Sequence, residues 1–75
     1  MSKDAAYRHY LRDMVALLRE RATEAKATRR ESEFKAGRAL AYYEVLSTLK
    51  EEAVIIGLDL SEISFDSFEP DRDLL

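Results

Sequence analysis

The sequence predicts an all-α protein: an antiparallel helical hairpin that dimerises into a four-helix bundle and carries a short irregular acidic C-terminal tail. Three observations lead there. Two long stretches repeat apolar side chains at steps of three and four. The segment between them, "ATEAKATRRESEFKAGR" from Ala22 to Arg38, holds hardly any large apolar residue, and the last third of the chain collects acids and the one proline. Seventy-five residues make a single domain, 1–75, near the size at which one core barely outweighs the entropy lost on folding.

The first stripe runs through Tyr7, Leu11, Met14, Leu18, Ala22 and Ala25, which predicts helix 1 over about 4–27. Ser2 or Asp4 caps its start, and Asp4 with Arg8 and His9 with Asp13 stand at i,i+4 spacing. The second stripe is Ala39, Tyr42, Leu46, Leu49, Ala53 and Ile56, widened by Phe34, Ala41 and Val45, giving helix 2 over about 32–56. It ends at Gly57, suited to the left-handed residue after a helix, with Leu58 folding back on the last turn.

Both stripes share one heptad phase, so a single long coiled-coil helix is not excluded by phase alone. The five middle seam positions of that helix would be Arg21, Ala25, Thr28, Ser32 and Lys35, and none is a large hydrophobe. A bend at 28–31 lets the two stripes face each other, with Thr28 and Glu31 or Ser32 capping helix 2. Residues 58–75 form the tail. "DLSEIS" has capping-box spacing at Asp59 and Glu62 and is expected to make one short helical turn, and "FDSFEPDRDLL" is expected to be extended or disordered, with Phe65 and Phe68 free to tuck against the helices.

Two helices leave much of a wide apolar face wet, and a second copy is the expected cover. The expected dimer interface is Tyr42, Leu46, Leu49, Ala53 and Ile56. Charge suggests its direction: residues 1–18 carry +1, 19–38 carry +3, 39–50 balance and 51–75 carry −7. Head-to-tail pairing would bring Glu62, Asp66, Glu69, Asp71 and Asp73 of one tail near Arg29, Arg30 and Lys35 of its mate's bend.

The chain has no cysteine, which excludes disulfides and thiolate metal sites, and its only histidine is His9. His9 with Asp13 offers two ligands, short of a metal site, and reads better as a surface pair. Tyr42, Tyr43 and Glu44 put a phenol beside a carboxylate, yet neighbouring helix positions diverge, so packing explains Tyr42 better, with Arg38 stacked on it one turn earlier. Gly37 and Gly57 are isolated, so no phosphate loop is present, and no serine stands in a nucleophile elbow. No catalytic, cofactor-binding or metal-binding residue is therefore expected. "MSKDAAYRHY" lacks a signal-peptide apolar stretch and no run approaches the ~20 residues of a membrane span, so a cytoplasmic location without membrane association is expected.

The functional expectation is a non-enzymatic protein–protein interaction or adaptor module, partnered by a second copy and by another protein. The alternative is a small nucleic-acid-binding hairpin dimer using Arg29, Arg30, Lys35 and Arg38 of the basic bend. Four acids interrupt the basic stretch from Arg19 to Arg38, the protein is acidic overall, and the chain has no Asn or Gln to read adenine, so nucleic acid is the less favoured partner. The stretches "FKAGRALAYYEVLSTL", "GLDL" and "PDRDLL", within residues 34–75, resemble short uncharacterised proteobacterial proteins in which a Gly-Arg pair opens an "AYYEVLS" helix and an acidic, proline-containing tail follows. The resemblance implies a bacterial cytoplasmic setting and carries over no functional residue.

Overall fold

A computed structural model describes residues 2–75. Helix α1 spans Lys3–Ala27 and helix α2 spans Glu33–Ile55; a 3-10 turn, Leu60–Ile63, and a short helix α3, Pro70–Leu74, follow. The two long helices pack side by side as a hairpin. The molecule measures 44 × 22 × 17 Å, whereas one helix over residues 3–55 would be about 80 Å long, so the chain does turn.

Each helix end is set by local chemistry. The Ser2 hydroxyl accepts from Ala5 N–H at 3.2 Å, and the Ser32 hydroxyl accepts from Lys35 N–H at 3.1 Å, so both long helices start on a serine cap. At the bend Thr28 N–H and Arg29 N–H donate to Ala25 and Lys26 carbonyls, and Glu31 N–H donates to Thr28, tightening the chain without leaving ordinary backbone space. Among the described residues positive φ occurs only at Gly57, Ser64 and Ser67, so the bend needs no glycine. At the far end of α2, Gly57 takes φ 78°; its N–H donates to Val54 and the Leu58 N–H donates to Ala53, closing the last turn.

The tail is where the structure departs from expectation. The expected short helical turn forms at Leu60–Ile63, and Phe65 and Phe68 do tuck against the helices, but residues 65–75 are neither extended nor disordered: the tail folds back along the hairpin, parallel to α1, and ends beside the bend. Two left-handed serines, Ser64 (φ 67°) and Ser67 (φ 57°), supply the reversals. Pro70 opens α3, where its fixed φ and missing N–H cost nothing. The core then consists of Val15, Ala22, Leu46 and Ala53 from the helices and Ile63, Phe65, Phe68 and Leu74 from the tail. Four of the buried helix positions are alanines, Ala22, Ala25, Ala39 and Ala53, so the bulk that fills the interior comes largely from the tail. The third surface that two helices require is thus supplied by the chain itself, on one side of the hairpin.

Candidate functional site

The tail divides the hairpin into a covered side and an open side. On the covered side four cations of the helices and the bend donate to tail carbonyls. Arg19 reaches the Ser64 carbonyl at 2.6 Å while its guanidinium lies 4.4 Å from the centre of the Phe68 ring. Lys26 donates to the Asp73 carbonyl at 2.9 Å, Arg29 to the Leu75 carbonyl at 3.3 Å, and Lys50 to the Phe68 carbonyl and the Glu69 carboxylate. Ser64 returns a bond to the Arg12 carbonyl at 3.0 Å. The end of the tail therefore meets the basic bend of its own chain through backbone carbonyls; among the described residues Lys50 with Glu69 is the one helix cation paired with a tail carboxylate, while Lys35 takes Glu31 and Asp73 takes Arg72.

Two side-chain links hold α3 against α2. Tyr43 donates to Asp71, which raises its phenol above the ordinary value, and Lys50 pairs with Glu69. They frame a recess of about 590 Å³ that Ser47, Glu51, Val54, Ile55 and Pro70 complete. The Ser47 hydroxyl is buried and finds no hydrogen-bond partner. Within the tail, the Asp73 carboxylate takes the Arg72 guanidinium and accepts from Glu69 N–H, and these bonds lower its pKa from 3.8 to about 2.

The open side carries no tail residue. Leu18, Arg38, Ala41, Tyr42 and Val45 line one shallow groove there, and Glu44, Val45, Thr48 and Leu49 line the next. The Arg38 guanidinium sits 5.2 Å from the Tyr42 ring centre. Exposed apolar residues continue in both directions along α2 and its cap, with Phe34 79% and Ile56 66% exposed.

The residues expected from sequence to form a dimer seam are divided by this geometry. Leu46 and Ala53 lie in the chain's own core, in the cluster that contains Phe65 and Phe68, and have no surface for a second copy. Tyr42 and Leu49 are half-buried at the edge of the open side, and Ile56 is exposed. The four basic residues considered for nucleic acid do not converge: Arg29 binds the end of the tail, Lys35 pairs with Glu31 at 3.3 Å, Arg38 stacks on Tyr42, and Arg30 stands exposed. Asp13 pairs with Arg12 at 3.3 Å. Among the described residues, no three His, Cys, Asp or Glu side chains stand together as a metal ion would need.

The central residue of the open side, Val45, entered the sequence reading only as a widening of the second stripe. The signal was present: Val45 lies one helical step off Leu46, so a stripe broad enough to include both must serve two surfaces. The chain matches no family model, and no curated protein or solved structure is significantly similar to it. Among the described residues, no helix is long and apolar enough to cross a membrane.

Proposed function

We propose that this chain is a small non-enzymatic protein–protein interaction module that acts as a homodimeric helical hairpin in a bacterial cytoplasmic setting. One observation carries the reading: after the tail has filled one side, the opposite side still presents Leu18, Tyr42, Val45 and Leu49 as a continuous strip with Phe34 and Ile56 at its ends. Contiguous apolar surface of this kind marks an interaction site more often than a solvated face. Its rims are polar and its centre is not, the usual anatomy of a protein interface. The expected seam keeps Tyr42, Leu49 and Ile56 and loses Leu46 and Ala53 to the core.

Sedimentation of the full chain between about 1 and 300 µM tests this, a range that spans dissociation free energies of roughly 5 to 8 kcal/mol. A shift from monomer to dimer mass supports it; a monomer throughout removes it. Nucleic-acid binding that is tight at low salt and falls steeply with added salt would favour the basic-bend reading instead.

A further inference from the structure

The open side of α2 is built symmetrically about Val45. Seven residues bring a helix back to within about 20° of the same direction, and eleven residues close three turns about as well. Arg38 and Glu52 stand seven residues either side of Val45, Phe34 and Ile56 stand eleven either side, and Ala41 and Leu49 stand four either side. Apart from half-buried Leu49, all of these residues are exposed. A surface that reads plus, apolar, minus along its length, with equal spacing, is complementary to itself turned end for end.

We propose that the open face seats a second copy of this chain, with α2 antiparallel to the mate's α2 across a two-fold axis at Val45. This rests on the reading of the chain as a self-associating module and adds to it the face, the register and the contacts. In an isologous pair the residue at a given step before the axis meets the one at the same step after it. Arg38 of each copy then faces Glu52 of the other, Phe34 faces Ile56, and small Ala41 receives Leu49. Leu18 and Tyr42 flank the seam, and both tails lie on the outer sides.

Other arrangements fail on charge or on burial. Parallel α2 helices would set Arg38 on Arg38 and Glu52 on Glu52. Moving the axis towards the bend, to Tyr42, would aim Arg38 at Leu46, which is fully buried in its own core. Moving it the other way, to Leu49, would send Arg38 opposite Leu60, which lies beyond the end of α2 in the 3-10 turn. Of these arrangements, the register about Val45 pairs unlike charges and keeps Arg38, Glu52, Phe34 and Ile56 on the exposed face. Apolar burial supplies the affinity, and the two Arg38–Glu52 pairs choose direction and register.

The test is a charge swap on the full chain, read by sedimentation equilibrium, with circular dichroism melting to confirm that each variant folds. Arg38→Glu and Glu52→Arg are each expected to weaken the dimer about ten-fold, since each places like charges together at both ends of the seam. The double variant is expected to return to within about three-fold of the parent. Because the chain has no cysteine, Val45→Cys under mild oxidation gives a disulfide-linked dimer, and Leu40→Cys, exposed but off this face, does not. Singles without effect, or a double variant weaker than either single, overturn the register while leaving a dimer that forms elsewhere. A parent chain that stays monomeric at about 300 µM overturns the register and the self-association reading together.

Discussion

The side of the hairpin under the tail and the side opposite are made from the same two helices, yet the first is filled by Ile63, Phe65, Phe68 and Leu74 while the second leaves Phe34, Val45 and Ile56 in solvent. Apolar periodicity announces that a face will be covered; it does not say by what. On the covered side the tail brings large side chains to meet small ones on the helices, and arginine and lysine donors meet carbonyl oxygens that would otherwise lose their water. On the open side the charges are exposed and unmatched across the groove, and the apolar residues have nothing above them. One side has the character of an interior and the other is an exposed strip with apolar residues along it.

The sharpest way to break this contrast is to remove the tail. Cutting the chain after Ser61 deletes all four large tail residues from the core, each burying on the order of 1.5 to 3 kcal/mol of side-chain transfer. Their sum, about 6 to 12 kcal/mol, is comparable to the whole net stability of a small domain. The truncated chain is expected to lose cooperative melting by circular dichroism; a hairpin that melts as sharply as the parent would show the tail to be ornament.

Single substitutions sharpen the same comparison. Phe65→Ala, at a site 2% exposed, is expected to cost about 3 to 5 kcal/mol in urea denaturation, because it leaves a cavity beneath the tail. Val45→Ser on the open side, measured at concentrations low enough to keep the chain monomeric, is expected to stay within about 0.5 kcal/mol of the parent. Equal costs at the two positions would abolish the distinction between the sides.

Acid separates them more gently. The Asp73 carboxyl is held at about 2, below its ordinary 3.8, first by the Arg72 guanidinium and then by Glu69 N–H, so its contribution to the stability of α3 is complete above about pH 4 and is lost as pH falls towards 2. Methyl resonances of Leu74 should broaden or shift over that interval. Asp73→Asn should shrink the acid-induced change in tail stability relative to the parent; identical acid profiles would show that other carboxyls govern it. The smallest effect is expected at Ser47, whose buried hydroxyl lacks a partner: Ser47→Ala should leave stability unchanged or raise it by up to about 1 kcal/mol in thermal melts.

What could be read from the sequence follows from how local each signal is. Ser32 and Gly57 mark the limits of α2 because a cap and a left-handed closure are decided within four residues, and the bend is legible from the missing hydrophobes in its seam. The short turn at Leu60–Ile63 and the burial of Phe65 and Phe68 were legible, whereas the order of residues 65–75 was not, because its decisive features have no local signature. Serine seldom takes positive φ, so nothing in "ISFDSF" announces that Ser64 and Ser67 do. Charge counting set the basic middle against the acidic tail, but composition carries no information about whether such segments meet through side chains or, as Lys26 and Arg29 do, through backbone carbonyls. For the candidate site, Tyr42, Leu49 and Ile56 were on the expected stripe, whereas the separation of Leu46 from Val45 onto two surfaces depends on where the tail lies.

The reach of the tail contacts has a kinetic side. The bonds from Arg19 to Ser64, Lys26 to Asp73 and Ser64 to Arg12 join residues 45, 47 and 52 positions apart, while the helices and the bend close over a few residues. Closing so long a loop costs entropy before any contact rewards it. The hairpin is therefore expected to assemble first and the tail to dock late, so that Phe65→Ala accelerates unfolding and leaves the refolding rate nearly unchanged, as a stopped-flow comparison of the two limbs would read directly. The residues that hold most of the core's bulk would then govern how long the folded state lasts and have little influence on how quickly it forms.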